Sequence, residues 1–333
     1  MTPWTPDGKF VISLDSPSSE TPELGGIILW DVASGNSRKF HGRVRPEAVA
    51  LNPKGNIVAI SGRRVGSPRL YGTVTIFEST GSCLIDFIEL ATGKILCEID
   101  TGKVRGGYSM AWSDDGEMVA LDVLYSTVSD PASVRVWNVS NQQLVYEEHE
   151  NETAGGLAQL IWVDNLLAWR LGNIVRFRKP PSTVPAMPDI EMNFITEPLV
   201  WNKVTNLMAF ITATGLTIYD PVAHETKAHF LTNASPAYSG HGLGSVAWSG
   251  DGLYLAASNH PSRGVASDSN RIFIFDSSGR LLRAITIPQA VSLSVISFSP
   301  NGSWILVRFH GGSSHPELSL VNFHTGEVTM LKR

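Results

Sequence analysis

The chain has 333 residues and a net charge of −5, with 43% hydrophobic and 17% charged residues. This is the balance of a packed globular protein rather than a disordered one, and the acidic excess argues against a nucleic-acid-binding face. No run approaches the roughly 18 apolar residues of a membrane helix. The opening MTPWTPDGKF lacks the basic and apolar regions of a secretory signal, so a cytoplasmic location is expected.

Short apolar runs separated by turn signals recur in groups of four, each group the size of one propeller blade, about 40–45 residues. The strands of a group are lettered A to D from the inside outward. Blade 1 (about 1–41) has a turn at 5–8, strand B at 10–14, strand C at 27–32 and strand D at 37–40. Only Met1 to Trp4 precede the turn, and Pro3 cannot donate to a ladder, so strand A is almost absent. Either this blade has three strands, or an upstream segment or a lent strand completes it. Blade 2 (about 46–100) is the longest, with strand B at 57–61 and strand C at 84–90. Between them lie a connection at 62–72, an alternating run at 73–78 and a turn signal at 79–81, which together predict a hairpin extension beyond the blade. Cys83 and Cys97, the only cysteines, both fall here. They form one bridge or stand as buried thiols, and two cysteines make no disulfide scaffold.

Blade 3 (about 107–150) shows the unit most clearly. Tyr108 to Trp112 is apolar, Asp114-Asp115-Gly116 turns, Met118 to Val123 is apolar, and Val134, Val136, Trp137 and Val139 form a third run before Leu144 to Tyr146. Blade 4 (about 156–193) has strand C at 174–178 followed by KPPSTVPAMPDI, whose prolines exclude an ordinary ladder strand. Blade 5 (about 197–232), blade 6 (about 243–288) and blade 7 (about 290–333) complete the chain.

Two motifs carry the repeat. The A–B turn of AWSDDGE recurs at Gly8, Gly55, Gly252 and Gly302, and in weaker form at Asn165 and Asn206. The strand C ending recurs as IILWDVASG, IDFIELATG, VRVWNVSNQ, IVRFRKPPS, LTIYDPVAH, IFIFDSSG and LSLVNFHTG. The WSxDG turn resembles the TolB-type repeat, and Leu29-Trp30-Asp31-Val32-Ala33-Ser34-Gly35 resembles the end of a WD repeat. The Gly-His opening of a WD repeat occurs as Gly240-His241 and, reversed, as His41-Gly42. The His-Ser-Asp-Trp hydrogen-bonded set of that family is therefore mostly missing. The resemblance implies an all-β, seven-bladed propeller with four antiparallel strands per blade, blade 1 lacking most of strand A, over one domain spanning 1–333. Trp30, Trp112, Trp137, Trp162, Trp201 and Trp248 sit at repeat-equivalent positions and read as inter-blade packing.

The B–C connections are long in blades 1, 2, 3, 6 and 7 and short in blades 4 and 5. Long loops on a rigid scaffold are where binding residues concentrate, so the B–C face of blades 6-7-1-2-3 is the expected interaction face. Its residues suited to recognition are Arg63, Arg64, Arg69, Tyr71, Tyr125, His260, Arg263, His310 and His315. The arginines stand near Asp15, Glu20 and Glu23 and near Glu147, Glu148, Glu150 and Glu152. Such a cluster either binds a carboxylate or phosphate or is a solvated surface of opposite charges. His241, His260, His310, His315 and Asp268 lack the short spacing of a metal site, so no metal and no cofactor is expected. No nucleophile elbow, phosphate loop or zinc-protease motif occurs. The expected function is a non-catalytic scaffold for a protein or peptide partner, with no membrane or nucleic-acid partner. The alternatives are an accessory propeller of a larger prolyl-oligopeptidase-like hydrolase and a self-contained propeller hydrolase or lactonase.

Overall fold

A computed structural model describes residues 3–15, 25–41, 44–71, 74–102, 104, 107–123, 132–150, 157–191, 199–212, 215–231, 243–259, 270–287, 292–310 and 317–331. Those residues contain strands and turns and no helix. Seven antiparallel sheets follow one another along the chain. Blade 1 is β1 (Phe10–Asp15), β2 (Gly26–Asp31) and β3 (Ser37–His41). Blade 2 is β4 (Val44–Leu51), β5 (Ile57–Tyr71), β6 (Val74–Glu89) and β7 (Ile95–Gly102). Blade 3 is β8 (Met110–Trp112), β9 (Met118–Val123), β10 (Ala132–Asn138) and β11 (Leu144–Glu150). Blade 4 is β12 (Leu157–Val163), β13 (Leu166–Leu171), β14 (Ile174–Arg178) and β15 (Ile190–Glu191). Blade 5 is β16 (Val200–Asn202), β17 (Leu207–Thr212), β18 (Gly215–Asp220) and β19 (Glu225–Leu231). Blade 6 is β20 (Leu243–Trp248), β21 (Tyr254–Asn259), β22 (Arg271–Asp276) and β23 (Leu281–Thr286). Blade 7 is β24 (Ser292–Phe298), β25 (Trp304–His310), β26 (Glu317–Asn322) and β27 (Val328–Met330). This is the seven-bladed β-propeller that the repeat predicts, with three strands in blade 1 and four in each of the others.

The turns explain why the repeat exists. All seven anchors adopt a positive φ: Gly8, Gly55, Gly116, Gly252 and Gly302 between 69° and 75°, Asn165 at 64° and Asn206 at 56°. Glycine and asparagine are the residues that reach this region most readily. In blade 3, Gly116 N donates to Ser113 O at 2.9 Å and Ser113 N to Met118 O at 2.9 Å. The Ser113 hydroxyl donates to Asp115 at 2.5 Å and accepts from Met118 N at 2.9 Å, while Asp115 accepts from Glu117 N at 2.9 Å. The same bonds recur around Thr5 and Asp7, Ser249 and Asp251, and Ser299 and Asn301. The motif Ser/Thr-x-Asp/Asn-Gly is thus a closed local hydrogen-bond set. Its hydroxyl holds Asp7 and Asp115 below the usual carboxylate value.

Between the turns, alternation sends each face of a sheet to a different core. The chain clusters into two compact units, one comprising Pro3–Asp31 and Ser37–Asp189, the other Val32–Asn36 and Ile190–Arg333. In the first unit, Val58 and Ile60 of β5 join a core with Ile12, Ile27 and Leu29 of blade 1. Ala59, between them, joins a core with Met110, Trp112 and Leu121 of blade 3. Ala111 and Ala120 point the other way, to Leu160, Trp162 and Trp169 of blade 4. In the second unit, Leu255 and Ala257 face blade 5 while Ala256 faces blade 7. Trp30, Trp112, Trp137, Trp162 and Trp248 are buried, and Trp112 Nε1 reaches Ala50 O of the preceding blade at 3.0 Å. Trp201 is half-buried and turns back to Asn206 Oδ1 at 2.9 Å.

The inner edge of blade 1 is less bare than its sequence implies. Trp4 is 1% exposed and bridges Val11. Ile12 N donates to Pro3 O at 2.8 Å; a proline lacks the donor but keeps the acceptor. Replacing Trp4 by alanine should therefore cost about 3–5 kcal/mol, read by urea unfolding, and a cost near zero would show that these residues do not seat the blade.

The turn geometry ranks the glycines. A Cβ at Gly252 would lie 2.4 Å from Thr205 Cγ2, whereas one at Gly302 meets nothing within 4 Å among the described residues. Gly302→Ala should cost roughly 1 kcal/mol from backbone strain alone, and Gly252→Ala distinctly more. Equal midpoints of urea unfolding for the two variants would contradict this.

Candidate interaction surface

Blade 2 departs furthest from the repeat. β4 pairs with β5 from Leu51↔Val58 out to Val44↔Arg64, and β7 pairs with β6 out to Cys83↔Gly102. Beyond those rungs β5 and β6 continue alone through Val65↔Ser79, Pro68↔Phe77, Arg69↔Ile76, Leu70↔Thr75 and Tyr71↔Val74. The hairpin extension is present, but its register corrects the expected one. Residues 62–71 are strand rather than loop, and 79–81 are strand rather than turn. Gly62 looked like loop composition. A Cβ there would lie 2.1 Å from Arg45 O, so glycine is required by the close crossing of β4 rather than by a turn.

Arg63, Arg64, Arg69 and Tyr71 all lie on β5. Arg63 Nε is 2.9 Å from Glu47 and Arg64 Nη2 is 2.6 Å from Glu98, both acids being in the same blade. These two arginines are therefore tied to the base of the ribbon. The side chains of Arg69 and Tyr71 lie outside the described residues, as do Tyr125, His260, Arg263 and His315 entirely. His310 ends β25 opposite Ser292, and its side chain is likewise outside. The structure thus places four of the nine candidates on one strand. Cys83 and Cys97 are free thiols, and burial pushes the Cys83 thiol up to about 11.

The acidic residues of blade 3 bind arginines of blades 3 and 4 rather than Arg63 and Arg64. Glu147, Glu148 and Glu150 belong to β11. Glu148 takes Arg178 in two bonds of 2.7 and 2.8 Å and accepts from the Tyr146 hydroxyl. Arg176 reaches Glu150 at 2.7 Å, and Trp169 Nε1 donates to Glu150 at 2.8 Å. Burial pushes Glu148 up, but the bonds from Arg178 and Tyr146 and the two guanidinium charges outweigh it and hold the group below its ordinary value. This network joins blades 3 and 4. Glu20, Glu23 and Glu152 lie outside the described residues.

Beside the ribbon is a cleft of about 320 Å³ lined by Glu98, Asp100 and Thr101 of β7 and by Arg135, Trp137, Gln142 and Leu144 of blade 3. Arg135 is fixed in its lining by bonds to Glu147 at 2.7 Å and Thr101 O at 2.8 Å. Glu98 belongs both to the cleft and to the Arg64 pair, so ribbon base and cleft are contiguous. Sequence reading missed this feature; its only signal was Arg135 within the apolar run of strand C. Among the described residues no three His, Cys, Asp or Glu side chains group to hold a metal, and no helix is long and apolar enough to cross a membrane.

Asp122 on β9 is 1% exposed, and its Oδ2 has no hydrogen-bond partner among the described residues, while Oδ1 accepts from Ser109 N at 2.7 Å. Burial raises its carboxyl to about 7 from 3.8. Between those values the folded chain holds a proton that the unfolded chain releases. The resulting stabilisation is complete below the unfolded value and is lost as pH rises through the folded one. Melting temperature should fall across that window, and Asp122→Asn should flatten the fall; an unchanged pH slope would refute the assignment.

With this geometry in hand, comparison with solved structures finds the same fold. The β-propeller domain of Myceliophteria thermophila Cps50 (Swd1) aligns with a TM-score of 0.65 at 13% identity, over 98% of this chain and 93% of that one. The RRP9 WD40 repeats align at 0.62 and 18% identity, over 93% and 86%. Kuenenia stuttgartiensis hydrazine synthase aligns at 0.61 and 14% identity, over 99% and 94%. No protein-family model matches the sequence, and no curated protein matches it. At these identities the likeness is one of fold, the β-propeller.

Proposed function

We propose that this chain is a non-catalytic, WD-repeat-like propeller that docks a protein or peptide partner, with the blade 2 ribbon at the centre of the docking surface. The observation that carries the reading is the ribbon itself. β5 and β6 run together past the end of both neighbouring strands, and a two-stranded hairpin is only marginally stable by itself in water. Its sequence adds Val65, Leu70, Tyr71, Val74, Ile76 and Phe77 to Arg69, a composition suited to a contact rather than to solvent. Propellers of this fold include WD40 repeats, and docking on a rigid scaffold needs no catalytic group. In the same reading the seven blades act as one domain, the location is cytoplasmic, and no nucleic acid or membrane is bound. The docking face remains that of blades 6-7-1-2-3, of which blade 2 and the adjoining cleft lie within the described residues.

A photo-crosslinking residue at position 69, compared with one at Val222 in an exposed turn of blade 5, tests this in cells that make the protein. Crosslinks to a protein partner should form from position 69 and not from 222. Crosslinking equal at both, or from 222 alone, would overturn the docking assignment.

A further inference from the structure

The blade 2 ribbon has two edges, and they are unlike. β4 pairs with β5 only as far as Arg64, and β7 pairs with β6 only as far as Gly102, where φ is 89°. Beyond those rungs, no other strand lies beside β5 or β6 among the described residues.

The register fixes which backbone groups face outward. Two residues connect Tyr71 to Val74, so Tyr71↔Val74 can be bridged only as a pair that exchanges both bonds. By alternation Arg69↔Ile76 is such a pair as well. The backbone groups of Pro68 and Leu70 on β5, and of Thr75 and Phe77 on β6, therefore point to the outer edges. On β5, Pro68 has no N–H to offer, and the strand changes register with β6 twice, between Arg63 and Val65 and between Val65 and Pro68. Proline and irregular register are devices that guard an edge. On β6, Val74-Thr75-Ile76-Phe77 pairs rung for rung, contains no glycine or proline, and consists of β-branched and aromatic residues. One edge is guarded and the other is open.

An open edge is a template for a further strand, and a two-stranded hairpin is marginal in water without one. A second copy of this chain supplies the same open edge. Two β6 strands can pair antiparallel about a two-fold axis at Ile76, Thr75 of each copy exchanging bonds with Phe77 of the other. That register engages the outward groups of both residues. It also sets Glu78 across from Val74 of the second copy, so the two acids do not oppose each other. Pairing β6 on β5 of the next copy would instead build an open filament, which the guarded β5 edge opposes. We propose that the occupant of the ribbon is a second copy of this chain, joined β6 to β6 in a four-stranded sheet. The proposal rests on the ribbon being the docking surface and names its partner.

The test is sedimentation velocity of the full chain from micromolar to sub-millimolar concentration. A concentration-dependent dimer should form. Thr75→Pro removes an outward N–H and leaves the bonds to β5, and should abolish the dimer. Ile76→Glu and Ile76→Lys each set like charges across the axis and should each weaken the dimer about fivefold or more. An equimolar mixture of those two variants should recover the association of the unmodified chain. If Thr75→Pro fails to fold, the two Ile76 variants decide. A monomer throughout, a dimer indifferent to these substitutions, or a mixture no tighter than either variant alone would overturn the proposal. A monomer that still crosslinks to a different protein from position 69 would overturn this inference and leave the docking assignment standing, so the two fail separately.

Discussion

Every blade of this protein is apolar on both faces, and the rest of the structure follows from that constraint. A sheet with one wet face would alternate apolar with polar residues. Here successive residues of one strand, such as Val58, Ala59 and Ile60, are all buried and belong to alternate cores. No blade can satisfy both faces alone, so stability is shared between neighbours, as in other repeat architectures. The residues that meet differ in size across each contact. Ala59 faces the core containing Trp112 and Phe87, whose rings meet edge to face with centroids 5.6 Å apart, and large-against-small matching of this kind fills an interior without strain.

Close packing leaves little freedom to the connections, and the A–B turns meet that demand locally. In blades 1, 3, 6 and 7 a hydroxyl, a carboxylate or amide, and one residue at positive φ close the turn within about six residues, and neighbouring turns bond each other as well, Asp164 N to Asp114 at 2.7 Å and Asn202 Nδ2 to Ser249 O at 2.8 Å. The strand C endings use a related device. Asn138, Asp220, Asp276 and Asn322 each accept backbone N–H bonds from the turn that follows. Strand edges are managed separately. The outer pair of blades 2, 3, 5 and 6 breaks register at the aromatic or apolar residue before that turn, and bulges of this kind twist an edge away from further pairing.

Against so regular a background, the places where the repeat is broken carry the functional argument. Blade 2 lengthens two strands into a ribbon, and blade 4 sets an exposed proline-rich segment between its third strand and a two-residue outer strand. Neither change is required to seal a core, since the cores on either side are built from the repeat positions. Both sit on scaffolding held by ion pairs, Arg63 and Arg64 at the ribbon base and Arg176 and Arg178 behind the proline segment. Individual surface pairs contribute little to stability, but a fixed base gives a protruding element a defined direction.

How far the sequence reached depended on the range of the interaction concerned. The turn anchors, including the weak ones at Asn165 and Asn206, were legible because their chemistry lies within a few residues. Seven groups of apolar runs then implied seven stacked sheets, since nothing else buries two apolar faces per unit. The tertiary structure decided what depends on residues distant in the chain. Gly62 is a strand residue because β4 passes within contact of it, Glu148 and Glu150 are bound because blade 4 brings two arginines to them, and Trp4 substitutes for a missing strand because it reaches Val11. Local composition reads a glycine as a turn and a run of glutamates as a solvated loop; only the packed neighbour shows that the first makes room for a backbone and the second neutralises a charge.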